Sequence, residues 1–337
     1  MVWIYEGGEM IEAMLTAAGG LQVEDAFSTT LYTGNGATQT INNGIDLAGE
    51  GGLVWIKNRY AVANHSLTDT RRGARDILIS DRTDPELQNR DEAVNQFFES
   101  GFEVTGTTNQ SNAGGSTYVS WTFRQAPKFF DIVQYTGDGV AGRQIAHDLG
   151  AEPGMIVVKR LDGADNWYVW HRQGNNGIDG NARAALNDSG QFTSPDDGTV
   201  WGDGSSYIPP SKSEFTTRGV NNAPGGSYIA YLFAHDPSDS GIIQCGSFVN
   251  MSPGQTVNLG WQPQYIMVKR TDGADNWVVI DTARGFSEND DRYLFPNSSQ
   301  GESGGVGASS LTPTATGFKF DTTYSGIYIY MAIKAPE

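Results

Sequence analysis

The chain has 337 residues, including 43 Gly, 13 Pro, 8 Trp and a single Cys, and its 22 basic and 39 acidic side chains leave a net charge of −17. That balance denies it the basic footprint of a nucleic-acid binder or of an anchor to anionic lipid. One cysteine excludes an intrachain disulfide, glycine without a three-residue period excludes collagen, and 11% aromatic content argues against wholesale disorder.

Glu6, Glu9 and Glu12 interrupt the first twenty residues, which lack the basic start and apolar stretch of a signal peptide. No run of 18 apolar residues follows, so the expectation is a soluble chain with no export signal and no membrane insertion. Within 1–26, a segment with five acidic and no basic residues, Met10, Ile11, Met14, Leu15 and Ala18 fall on one helical face before Gly19-Gly20. A helix of about three turns is marginal alone, so this face must dock. Its two candidate seats are the next domain and a partner in a larger assembly.

From residue 27 onward the chain repeats itself. Three strands end in lysine: Leu53-Val54-Trp55-Ile56-Lys57, Met155-Ile156-Val157-Val158-Lys159 and Tyr265-Ile266-Met267-Val268-Lys269. Two of them run into an identical loop, Asp162-Gly163-Ala164-Asp165-Asn166-Trp167 and Asp272-Gly273-Ala274-Asp275-Asn276-Trp277, where the first unit has Tyr60 to His65. Asp69-Thr70 before Arg72-Gly73 matches Asp281-Thr282 before Arg284-Gly285. An aromatic strand closes each unit, beginning at Tyr118, Tyr228 and Tyr328, with Gly114-Gly115 and Gly225-Gly226 ahead of the first two. Markers in constant order and similar spacing define units at 27–127, 128–237 and 238–337.

Within a unit, apolar runs of four to six residues alternate with Gly, Asn, Asp and Pro clusters, the pattern of sandwiches and barrels. A period near 100 residues is too long for a solenoid or a propeller blade. The predicted fold is all-β: three tandem antiparallel β-sandwich-like repeats of about 100 residues, after a short N-terminal helix. Short connectors near Ala126-Pro127 and Asp236-Pro237 predict a rigid array and leave open that neighbouring units share sheets.

No catalytic constellation stands out. Gly137-Asp138-Gly139-Val140-Ala141-Gly142 has the G-x-G-x-x-G spacing, but a phosphate cradle needs a helix after it, and here it reads as a hairpin turn between strands. His65, His147, His171 and His235 are scattered, and with one Cys they build no standard zinc site. No Gly-x-Ser-x-Gly elbow is present. Carboxylate pairs need only meet in space, so 39 acids offer no choice among them. The expectation is a non-enzymatic chain with no cofactor and no metal.

Binding is a better prospect than catalysis. Asp162, Asp165, Asn166, Asp272, Asp275 and Asn276 present hard oxygens in the duplicated loop, as a tight turn, a ligand contact or a calcium site lacking the usual terminal Glu. Tyr60, Trp201, Tyr207 and Tyr324 fall in loops, where aromatic faces can stack on sugars.

The strings Phe27 to Gly36, Gly52 to Arg59 and Asp69 to Gly73, followed by Tyr118 to Pro127, Pro153 to Arg160, Tyr228 to Asp236 and Tyr328 to Ile333, resemble a family of virion structural proteins of tailed phages, common in marine phages and often labelled tail-fibre proteins. The resemblance spans 27–337. It implies residence in the virion, other virion proteins as partners and a homo-oligomer, for which a trimer is expected. It also implies contact with a host surface glycan or protein, and it makes Met10, Ile11, Met14 and Leu15 a virion-docking face. The resemblance carries no catalytic residue. The chain ends directly after the third unit and begins with a short leader, whereas relatives often carry further tip and attachment domains. A head-decoration or tail-adaptor protein, acting only in assembly and stability, is the alternative to a fibre-like part.

Overall fold

The computed structural model describes residues 4–6, 9–11, 20–91, 93–196, 200–203, 205–287, 292–304 and 311–337. It is all-β and antiparallel throughout, and no helix among these residues is long and apolar enough to cross a membrane.

The described part of the leader departs from the expected helix, whose residues 12–18 lie outside the described residues. β1 (Ile4–Glu6) pairs with β2 (Glu9–Ile11), Tyr5 opposite Met10 and Ile4 opposite Ile11. Of the expected helix only residues 9–11 are described, and they are extended in antiparallel pairing instead. Met10 and Ile11 therefore lie on a strand, while Met14 and Leu15 fall outside the described residues. One helical turn, α1 (Val23–Ala26), follows and buries Val23 and Ala26.

Three groups of strands come next. The first holds β3 (Phe27–Thr33), β4 (Gln39–Asn42), β5 (Gly52–Asn58), β6 (Ser66–Asp69), β7 (Val94–Phe98), β8 (Gly101–Val104) and β9 (Thr117–Arg124). Its large sheet runs β3-β9-β5-β6 and its small sheet β4-β8-β7. The second holds β10 (Phe130–Thr136), β11 (Arg143–Ala146), β12 (Pro153–Arg160), β13 (Tyr168–His171), β14 (Ala184–Ala185), β15 (Glu214–Thr217) and β16 (Ser227–Ala234). Here the sheets run β10-β16-β12-β13-β14 and β11-β15, with a 3-10 turn at Gly219–Asn222.

The third holds β17 (Ile243–Asn250), β18 (Gln255–Asn258), β19 (Pro263–Arg270), β20 (Val278–Asp281), β21 (Tyr293–Leu294), β22 (Leu311–Thr314), β23 (Gly317–Phe320) and β24 (Gly326–Lys334). Its sheets run β17-β24-β19-β20-β21 and β18-β23-β22. Each large sheet thus inserts its group's last strand between the first strand and the lysine strand. Trp55 faces Trp121 across that pairing, Val157 faces Tyr231, and Met267 faces Met331.

The lysine strands are buried along their length because both faces are covered. Side chains alternate between faces with a period of two. Val54 and Ile56 of β5 pack on Ile41, Phe102 and Val104 of the small sheet, and Ile266 and Val268 of β19 pack likewise on Val257, Phe318 and Phe320. The opposite face supplies Leu53, Trp55, Met155, Val157, Tyr265 and Met267 to one core shared by all three groups. Phe123 joins them there, 5.4 Å from Phe233 and 6.0 Å from Tyr265 between ring centres. Among the described residues no sheet crosses from one group to another, so the groups share side chains rather than strands.

Candidate functional site

The recurrent polar residues gather where the groups meet. Each lysine strand carries a buried ammonium that donates to a carbonyl of its own group, Asn58 O (2.9 Å), Arg160 O (2.8 Å) or Asp275 O (2.8 Å), and also reaches a neighbouring group. Lys159 Nζ donates to Thr83 O of the first group (3.3 Å), Lys269 Nζ to Ser189 O of the second (3.3 Å), and Lys57 Nζ to Ser299 O of the third (3.3 Å). The second group closes on the first, the third on the second, and the first on the third. Burial pushes all three lysines down to about 8 from 10.5, with nearby aspartates opposing it.

The duplicated loop completes the same clasp. Asp165 N–H donates to Thr83 O (2.9 Å) and Asp275 N–H to Ser189 O (2.8 Å), while Ala63 N–H reaches Ser299 O (2.9 Å) from the divergent first loop. The indole N–H of Trp167 donates to Ile79 O and that of Trp277 to Ala185 O, each in the neighbouring group. Where this Trp is missing, Trp55 donates to His65 Nδ1, and His65 Nε2 meets Phe295 O of the third group (3.0 Å). Burial lowers the His65 pKa well below its usual value.

These contacts account for most of the loop's candidate ligands. Asp162 and Asp272 are paired with Arg160 (2.7 Å) and Arg270 (2.8 Å), two positions earlier. The Arg160 hydrogen bond holds Asp162 below the usual carboxylate range, and Arg270 does the same for Asp272 against partial burial. Asn166 Oδ1 accepts from Asn187, whose own Oδ1 accepts the Trp167 N–H; Asn276, Asn297 and Trp277 repeat this latch. Asp165 and Asp275 each accept the next residue's N–H. Among the described residues, no three His, Cys, Asp or Glu side chains are placed to hold a metal ion.

The aromatic candidates separate. Tyr60 is 91% exposed. Trp201, expected on the surface, is buried in the shared core, because it bridges to Thr217 and extends the β15 edge beside fully buried Val200. Tyr207 is half-buried, its hydroxyl against Gly180, and burial pushes its pKa up to about 12. Gly137 to Gly142 links β10 of the large sheet to β11 of the small one, so it crosses between sheets rather than closing a hairpin.

Sequence reasoning alone missed a second set of contacts, deeper in the seams. Asp69 pairs with Arg72 (2.6 Å) and accepts Tyr231 OH of the second group (2.7 Å). Asp281 pairs with Arg284 (2.6 Å) and accepts the Trp121 indole of the first group (2.9 Å). His171 holds the corresponding register position in the second group, and its Nε2 meets Tyr330 O of the third (3.1 Å). The repeated Asp-Thr-x-Arg-Gly string was the available signal.

Such geometry defines a β-sheet protein whose recurrent polar residues join its parts. Residues 22–336 match the family described as "Domain of unknown function (DUF7483)", and the chain belongs to that family. No curated protein matches the chain. The matched span begins beside α1 and takes in all three groups, so the family's unit is the three together.

Proposed function

We propose that the chain is a non-enzymatic structural protein of a tailed-phage virion, tail-associated or fibre-like, that meets the host surface through its loops. On this reading the three groups are copies of one sandwich module, closed head-to-tail into a ring by the lysine clasps and the seams beneath them. The histidines fit such a role: His65 and His171 are fully buried and bonded to carbonyls of a neighbouring group.

One observation carries the attachment reading. In every group the connections after the first strand, after the lysine strand and before the last strand leave at one end of the large sheet's strands: Thr33 and Asn58 pair with Thr117 and Tyr118, Thr136 and Arg160 with Ser227 and Tyr228, Asn250 and Arg270 with Gly326 and Tyr328. Tyr60, Val62, Val140, Met251 and Tyr324, all exposed, stand on these connections. Binding residues fall disproportionately on loops held by a rigid scaffold.

Purified protein tests this by competition. It should adsorb to susceptible cells and block phage adsorption; no effect at saturating concentration would reject attachment. Antibody labelling of particles at the tail supports the reading, and labelling over the capsid would move the protein to head decoration.

A further inference from the structure

Tyr118, Tyr228 and Tyr328 open the last strand of each group, buried and stacked on the first strand's Tyr32 (5.1 Å), Tyr135 (5.2 Å) and Phe248 (5.4 Å). Over the first two tyrosines the preceding connection folds back as a cover. Ala113 N–H donates to Tyr118 Oη (2.8 Å) and Ala223 N–H to Tyr228 Oη (3.0 Å). Buried Asn112 and Asn222 stitch each cover to the loop after the first strand, accepting from Asn35 N–H and Asp138 N–H. The cover also lies across the lysine strand: Asn58 Nδ2 donates to Asn109 O, and the 3-10 turn Gly219–Asn222 packs on β12.

In the third group this cover is shorter, though Tyr328 Oη still donates to Tyr324 O (3.4 Å). Only residues 321–325 join β23 to β24, where 105–116 and 218–226 fill the same place in the first two groups. Asn250 binds the short connection from the other side, its Nδ2 donating to Thr322 O and Tyr324 O. A cavity of about 230 Å³ is left at this end of the sandwich. Ile280, Leu311 and Phe320 give it an apolar floor, and Asp275, Asn276 and Tyr324 line it as polar and aromatic groups.

Three properties narrow the occupant. The volume lies below the roughly 300–1,000 Å³ of pockets for drug-sized ligands, which suits a single ring. Lys269 and Arg270 are matched by Asp272 and Asp275, which favours a neutral molecule. An apolar floor with a hydrogen-bonding wall asks for a ligand with one apolar group and several hydroxyls. We infer that this mouth binds one neutral sugar ring carrying an apolar substituent, a 6-deoxy or N-acetylated hexose. Its methyl group sits on the floor, its hydroxyls face Asp275 and Asn276, and Tyr324 covers its face. The inference rests on the attachment reading for the sugar's source, a host surface glycan.

Saturation-transfer NMR and calorimetric titration of the full chain test it, with methyl glycosides of N-acetylhexosamines and 6-deoxyhexoses and with methyl glucoside for comparison. Saturable binding is expected, with strongest transfer at the substituent methyl. Tyr324→Ala should weaken it about three- to tenfold, the worth of one stacking contact. Val278→Phe, at a half-buried position lining the cavity, should abolish it with the melting temperature unchanged. No saturation by any sugar up to about 50 mM, or binding that both substitutions leave intact, overturns the inference. A peptide of residues 111–116, copied from the first group's cover, is titrated in parallel; if it alone binds, the mouth belongs to a protein loop and the sugar is wrong. Protein that blocks adsorption yet binds none of these sugars leaves the attachment reading standing and removes this one. Sugar binding without blocking does the reverse.

Discussion

The indole N–H of Trp121 donates to Asp281 Oδ2 at 2.9 Å, joining residues 160 positions apart. Asp281 also holds the fully buried Arg284 guanidinium, so one carboxylate serves a cation of its own group and a donor from another. Tyr231 and Asp69 repeat the arrangement, and Met331, which has no side-chain donor, leaves the third seam to His171 and a backbone carbonyl.

Trp121→Phe and Tyr231→Phe should each cost about 1–3 kcal/mol, since each removes a hydrogen bond from a buried carboxylate. Asp281→Ala should cost more, about 3–5 kcal/mol, by stripping Arg284 of its main partner. Met331→Leu should stay below about 1.5 kcal/mol, because nothing polar is lost. Urea denaturation midpoints at constant slope give the comparison.

Acid should destabilise the fold. Burial pushes His171 down to about 3 from 6.5. Between those values the unfolded chain takes up a proton that the folded chain refuses, so stability falls as pH falls through that window. At pH 5 the loss from His171 alone is about 2 kcal/mol. His65, His147 and His235 are shifted in the same direction. Melting temperatures at pH 7, 6 and 5 in one buffer series check it, and His171→Gln should flatten the decline.

On the alkaline side the slope has the same sign, so stability rises as pH rises. Lys57, Lys159 and Lys269 titrate at about 8 folded and 10.5 unfolded, so between these values the unfolded chain binds more protons and stability rises with pH. Buried Tyr135 and Tyr265 are shifted upward, retain their protons when folded and reverse the trend above about pH 10. Unfolding free energies from pH 7.5 to 10.5 should show that rise and fall, and Lys159→Met should reduce the rise.

Asp162→Ala breaks a surface pair with arginine and should cost less than about 1 kcal/mol; Asp272→Ala also removes the acceptor of the Ile327 N–H and should cost about 1 kcal/mol more. Asn187→Ala and Asn297→Ala open the latch that holds the following Trp and should cost about 1–3 kcal/mol. Millimolar calcium should leave the melting temperature unchanged in the native chain; a rise of several degrees would restore these loops as a cation site.

Much of this fold was legible in apolar runs. The unbroken pattern at Leu53 to Ile56, Met155 to Val158 and Tyr265 to Val268 pointed to strands covered on both faces, although not to what covers them. The seam partners stayed hidden for a physical reason: Thr83, Ser189 and Ser299 contribute backbone carbonyls, which any residue carries. The start of the leader misled because Met10 and Ile11 satisfy a helical period, yet both pair with the preceding strand, Met10 opposite Tyr5 and Ile11 opposite Ile4. Trp201 misled because a single bridge to Thr217, far in sequence, takes it out of the loop class.

The three strand groups hold one another and fold as one body. Differential scanning calorimetry of the full chain tests it most directly. One transition is predicted, with the calorimetric enthalpy equal to the van't Hoff enthalpy. Two or three resolved transitions, or a calorimetric enthalpy well above the van't Hoff value, would contradict it.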